Sequence, residues 1–215
     1  MPKHSVRALL IIPPLAIVAA LLVAPVFYLL RLSFFRPVPG RMDLVPGVTL
    51  FNYEKLLFDG FYLGVLLNTL WLSFLITALS LVLGYLLSYF LWRIARPWKV
   101  ILTLLVVAPM MIGIVVRAYG WMILLGDAGV INGFLKAVGL IDHALPMMFN
   151  DAAIVIGLTH VQIPFMVLSI LAALDRVDPA MAEAAETLGA NRIRTVWHVV
   201  LPLSFPGVVA GCTLV

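Results

Sequence analysis

The strongest constraint in this sequence is a set of long runs that carry no Asp, Glu, Lys or Arg. Residues 8–30 form one of 23, Gly60–Trp92 one of 33 and Ala152–Leu174 one of 23. Val100–Gly126 adds 27 residues interrupted only by Arg117, and Thr195–Val215 adds 21. A bilayer core about 30 Å thick is crossed by about 20 apolar residues at a rise of about 1.5 Å each. A chain inside lipid must satisfy its own backbone polar groups, so such runs predict helices. Composition agrees: 64% of the chain is hydrophobic and 11% charged, where a soluble domain carries about 25% charge. Soluble globular and disordered classes are excluded. The single cysteine, Cys212, excludes an internal disulfide scaffold.

The expected fold is therefore all-α: one polytopic membrane domain over residues 1–215, with spans at about 8–31, 65–92, 100–125, 152–174 and 205–215. Pro13, Pro14 and Pro25 fall inside the first run, which membrane helices tolerate. Its apolar part exceeds the about 7–15 residues of a signal peptide and no small-residue cleavage site follows, so it reads as a retained span. Pro202 and Pro206 predict that the last helix begins near Phe205. On that reading the chain stops inside its fifth span.

Placing the N-terminus inside puts eight basic residues on the cytoplasmic side: Lys3, Arg7, Arg93, Arg96, Lys99, Arg176, Arg192 and Arg194. Five face outward: Arg31, Arg36, Arg41, Lys55 and Lys136. The bias favours this orientation, and Tyr89, Trp92 and Trp98 cluster at one predicted interface. The net charge of +4 thus orients the chain in a membrane and does not point to nucleic acid. The outer segment 31–59, with Pro37, Pro39, Pro46 and Gly47, reads as a loop.

Catalytic patterns are missing. The sequence contains no G-x-x-x-x-G-K-[ST], H-E-x-x-H or G-x-S-x-G. His4, His143, His160 and His198 are too scattered to predict a metal site, and no cofactor is expected. Two polar features remain inside apolar runs. His160 and Gln162 either line a pathway or hydrogen-bond between helices. Arg117 either sits mid-membrane, where a charge must find a partner or water, or lies at the outer interface beyond a helix break at Pro109.

Residues 175–204 carry the most information. Asp178-Pro179 is a helix start, with a capping oxygen followed by a proline suited to the first turn. Gly189 is a helix stop of the left-handed kind. Between them Met181, Ala184, Ala185 and Leu188 form one apolar face, with Glu183 and Glu186 on another side. Ile193, Val196, Trp197, Val200 and Leu201 continue at helical spacing, and Pro202 is expected to end that stretch. By periodicity alone, this segment either docks another protein or rests on lipid.

Glu183-Ala184-Ala185, three residues, Gly189, nine residues, then Val199-Val200-Leu201-Pro202 resembles the EAA signature of binding-protein-dependent ABC importer permeases. Val199 stands where the family usually has Ile. Asn68-Thr69 with Leu83-Gly84-Tyr85, and Arg117-Ala118-Tyr119-Gly120-Trp121 with Gly129-Val130-Ile131-Asn132, are similar to the spermidine/putrescine branch. The resemblance runs from about Asn52 onward. It implies a type I importer transmembrane domain in a bacterial inner membrane, a transport subunit and not an enzyme. Its partners would be a cytoplasmic ABC ATPase dimer, a second permease subunit, an external or periplasmic solute-binding protein and membrane lipid. Glu183, Ala184, Ala185, Gly189, Leu201 and Pro202 would couple to the ATPase. Asn68, Arg117, Tyr119, Trp121, His160 and Gln162 are the candidates for the translocation path. A polyamine is the first substrate candidate; another small solute, or a truncated and inactive permease, are the alternatives.

Overall fold

The computed structural model describes residues 3–37, 44–45 and 47–215. Pro39, Arg41 and Pro46 of the expected outer loop, and the side chains of Lys3, His4 and Arg7, lie outside the described residues. The chain divides into two units, Met1–Thr69 and Leu70–Val215.

The first unit opens with helix α1 (Lys3–Ser33), which carries Pro13, Pro14 and Pro25 without an assigned break. The expected loop at 31–59 is more ordered than its composition suggests. A two-residue antiparallel pair, β1 (Arg36–Pro37) with β2 (Leu44–Val45), precedes helix α2 (Phe51–Phe58). Asn52 holds α2 to the end of α1: its amide donates to the Ser33 and Phe35 carbonyls at 2.8 Å each. The Ser33 and Tyr53 hydroxyls meet at 2.7 Å. The Arg36 guanidinium lies 4.1 Å from the centre of the Phe51 ring. Proline and glycine counts could not foresee a helix secured by one asparagine.

Helix α3 (Gly60–Arg93) leads into the second unit. There the sequence predicts one span over 100–125, and the structure breaks it. Helix α4 (Arg96–Val107) passes into a 3₁₀ turn at Ala108–Met111, then extended backbone at Ile112, before α5 (Ile114–Leu125). Pro109 lacks the N–H that would continue the ladder. Next come α6 (Val130–Ala137) and α7 (Asp151–Leu174), the latter capped by the Asn150 side chain on the Ala153 N–H. Asn132 of α6 is fully buried and holds the intervening loop through Gly126 and Leu145.

The segment after α7 starts as expected. Asp178 caps α8 (Pro179–Thr187) by accepting from the Ala180 N–H. The end of the segment differs. Pro202 does not terminate a helix: α9 (Arg192–Thr195), a π turn at Val196–Val200 and α10 (Leu201–Leu214) follow one another directly. Leu201 N–H reaches back five residues to the Val196 carbonyl. This wider turn falls directly before Pro202, whose ring would otherwise crowd the His198 carbonyl. The last helical stretch thus begins at Arg192 and not near Phe205.

Among the described residues, five helical stretches are long and apolar enough to cross a membrane: Ile12–Ser33, Gly60–Arg93, Ile114–Ala137, Asp151–Leu174 and Arg192–Leu214. In the second unit α7 is the centre of packing. Met166, Ile170 and Leu174 of α7 are fully buried with Val200 and Ala182. Small residues permit this approach. Ser80, Gly84 and Ser88 form a buried stripe on α3, and Ser204, Gly207 and Gly211 form one on α10. A methyl added at Gly207 would come within 2.8 Å of the Ser169 carbonyl oxygen. Ser88 Oγ donates to the Gly84 carbonyl at 2.7 Å and to the Val167 carbonyl at 3.1 Å, and the Tyr85 and Ser204 hydroxyls meet at 3.2 Å.

Candidate functional site

Two places gather the residues singled out from the sequence. The first is α8. Its inward residue is Ala182, which is 0% exposed against Met166, Ile170, Leu174 and Val200. Because Ala182 faces inward, the apolar face of Met181, Ala184, Ala185 and Leu188 turns largely outward. Met181 is 52% and Leu188 88% exposed, Ala184 is exposed and Ala185 half-buried. Glu183 is exposed beside them.

Gly189 ends α8 with φ +91°, a conformation that L side chains rarely adopt. Its N–H bonds the Glu186 carbonyl, and the Ala190 N–H bonds the Ala185 carbonyl. Those two bonds are the paired closure of a glycine-terminated helix. Glu186 has a task that spacing did not assign: it pairs with Arg93 of α3 at 3.0 Å. A second ion pair, Lys99 with Asp175, ties the start of α4 to the end of α7. Leu201 is half-buried and Pro202 exposed, both on the continuous helix that follows.

The second place is the break between α4 and α5. Arg117 donates to the Pro109 carbonyl at 2.7 Å and to the Ile112 carbonyl at 2.8 Å. It therefore covers the Ile112 carbonyl, which the broken ladder leaves open, and adds a second bond to the Pro109 carbonyl, which already accepts from the Ile112 N–H. A cavity of about 150 Å³ lies here, lined by Pro109, Arg117, His160, Pro164 and their neighbours. Arg117 Nε and His160 Nδ1 are buried there without a hydrogen-bond partner. The Trp121 ring meets His160 edge-on, with centroids 5.5 Å apart.

The pair His160 and Gln162 is divided by the fold. Gln162 Nε2 donates to the Val215 carbonyl at 2.8 Å, joining α7 to the end of α10. His160 joins the Arg117 cavity instead. Tyr119 is 62% exposed and stays out of the cluster. Asn68 is an exposed position of α3 within the first unit. Among the described residues, no group of three or more His, Cys, Asp or Glu could hold a metal ion.

No protein-family model matches the chain. Individual proteins do. Over 167 residues it is 37% identical to the spermidine/putrescine transport system permease protein PotB of Escherichia coli K12, which covers 78% of this chain and 60% of that protein. Over 215 residues it is 30% identical to the inner membrane ABC transporter permease protein YdcU of the same organism, covering 94% of this chain and 68% of that one. The chain belongs to the ABC transporter permease family. The fold of this permease also matches a solved bacterial alginate ABC transporter in complex with a pentasaccharide-bound periplasmic protein. The TM-score is 0.77 at 19% identity, over 96% of this chain and 69% of the solved one. The permease spans 60% of the length of the PotB relative.

Proposed function

We propose that this permease forms the translocation path of an ATP-driven importer in a bacterial inner membrane. Its solute is delivered by an external binding protein, and ATP is hydrolysed by a separate cytoplasmic ATPase dimer. A second permease subunit completes the path. The observation that carries the coupling role is the exposed face of α8, which is held on its other side by the buried Ala182 and by the Glu186–Arg93 pair. Small side chains at Ala184 and Ala185 permit close approach, and Glu183 offers a charge-assisted bond to a basic residue of the ATPase. Gly189 sets the turn, and Leu201 and Pro202 carry the segment into the membrane helix. The N-terminus is cytoplasmic on this reading.

A polyamine such as spermidine or putrescine is the proposed solute, supported by the names of the PotB relatives. A different small solute is the second reading. It is favoured by Arg117, a cation among the translocation-path candidates that would repel a polycation.

Proteoliposomes holding the full-length permease with its ATPase, second subunit and binding protein test this. Spermidine uptake should require ATP and survive collapse of ion gradients. Glu183→Ala should leave insertion intact and lower substrate-stimulated ATP hydrolysis, since a charged hydrogen bond contributes about 1.5–3 kcal/mol. Uptake driven by an ion gradient without ATP would overturn the class. Wild-type coupling in Glu183→Ala would remove α8 from the mechanism. A reporter fused after Lys99 should be cytoplasmic and one after Lys136 external; the reverse would invert the coupling side.

A further inference from the structure

A groove at the Arg93 end of α3 belongs neither to the outward face of α8 nor to the Arg117 cavity. Its volume is about 570 Å³, and its walls come from α3 and from the start of the Arg192–Leu214 helix. Leu86 and Phe90 line one wall, Ile193 and Trp197 the other, and all four are more than half exposed. Arg93 and Arg192 also line it.

The groove is polarised in the same sense along both walls. On α3, Phe90 and Leu86 lie progressively deeper than Arg93, and the groove follows this helix for about 12 Å by the rise per residue. On the other wall Arg192 is outermost and Trp197 lies more than a turn deeper. The ion pairs among the described residues are Arg93–Glu186 and Lys99–Asp175, so Arg192 has none. The Arg93 side chain stays about one-third exposed despite Glu186. The occupant that fits is an amphiphile with an anionic head and an apolar tail.

We propose that this groove holds one anionic phospholipid of the leaflet on that side of the membrane. The Arg93 and Arg192 guanidiniums receive its phosphate, and an acyl chain lies between Leu86–Phe90 and Ile193–Trp197. A bound lipid of this kind would brace the base of α3 against the helix that leads out of α8. It depends on the chain crossing a membrane and not on which solute the permease moves.

The test uses the full-length permease complex in nanodiscs of phosphatidylglycerol and phosphatidylcholine with matched acyl chains. Lipids retained on the released complex are weighed by native mass spectrometry. Phosphatidylglycerol should be kept about fivefold over phosphatidylcholine, the scale set by one basic residue near a membrane surface, because the charge of Arg93 is already offset by Glu186 and that of Arg192 is not. Arg192→Gln should bring the two lipids to parity, whereas Lys136→Gln should not. Trp197→Ala should lower retention of both lipids without changing their ratio. The mass of the intact complex in the same spectrum shows that each variant assembles. Equal retention of the two lipids by the wild type, or an unchanged preference in Arg192→Gln, overturns the proposal. A photo-crosslinking side chain in place of Ile193 that captures polypeptide and no lipid overturns it as well.

Discussion

Two prolines in apolar runs meet opposite fates in this molecule. At Pro109 the helix stops: a 3₁₀ turn gives way to extended backbone at Ile112, and Arg117 bonds the Pro109 and Ile112 carbonyls. At Pro202 the helix continues, with one π turn upstream and helical dihedrals at Val200 and Leu201. Proline removes the same N–H in both places. The surroundings differ. Ala108 and Met110–Gly113 are exposed, whereas Val200, Ser204, Gly207 and Gly211 are buried, and the glycines meet α7 directly. A proline therefore breaks the helix where little packing opposes it, and is absorbed where a neighbouring helix holds the axis in place.

The largest expected effect comes from placing the same methyl group in each region. At Gly207 a Cβ would lie 2.8 Å from the Ser169 carbonyl oxygen and 3.1 Å from the Ile170 Cα. These are backbone atoms, so α7 and α10 must separate. Gly207→Ala should destabilise the permease by about 3 kcal/mol, the upper part of the overpacking range. At Gly120 of α5 no atom lies within 4 Å of the added Cβ. Gly120→Ala should be neutral or stabilise by up to about 1 kcal/mol through helix propensity. Thermal unfolding in detergent reads both. Equal responses would mean that the two regions are equally packed and that another cause separates the prolines.

What the sequence reveals follows the same division. Charge-free runs are long and one-dimensional, so three helices, α1, α3 and α7, were legible at nearly their observed limits, and Asp178, Pro179 and Gly189 bracket α8 through local chemistry. The break at Pro109 was legible only as one of two readings, because the deciding bond comes from Arg117, eight residues away. The continuation through Pro202 was not legible. It depends on Gly207 and Gly211 meeting Met166, Ser169 and Ile170 of another helix. The spacing of those glycines, four residues apart in an apolar run, is the sequence signal that could have shown a packed face. The Arg93–Glu186 pair likewise joins residues 93 positions apart.

Removing Arg117 sharpens the comparison from the other side. Arg117→Ala leaves the Ile112 carbonyl without its partner and the Pro109 carbonyl with the Ile112 N–H alone. Net loss should be about 2 kcal/mol, within the range for a hydrogen bond to a charged group. Arg117→Lys should recover only part of it, since both bonds come from Nη2, which stands one bond further from the backbone than a lysine Nζ. Hydrogen exchange should quicken at 108–116 and remain unchanged at 196–214. If Arg117→Ala unfolds no earlier than wild type, water serves these carbonyls as well as the guanidinium does, and the break needs no dedicated side chain.

The smallest change in stability is expected at Pro202 itself. Pro202→Ala returns an N–H that can bond the His198 carbonyl and removes the ring that crowds it, which favours an α-helical ladder in place of the π turn. Losing that extra residue from the turn would rotate Arg192–Thr195 by about 100° relative to α10, one residue of a 3.6-residue turn. Thr195, now fully buried, would be carried out of its site, and α8, anchored through Ala182 against Val200, would be strained. The ladder gained and the packing lost should offset each other to within about 1 kcal/mol, the central scale of point substitutions. The consequence should therefore appear in position and not in unfolding temperature. A disulfide scan between positions on α8 and on 192–196 should change its pattern in Pro202→Ala while the melting curve stays nearly in place. A melting curve lowered as far as that of Gly207→Ala would show that the proline itself, and not the glycine face behind it, keeps this helix whole.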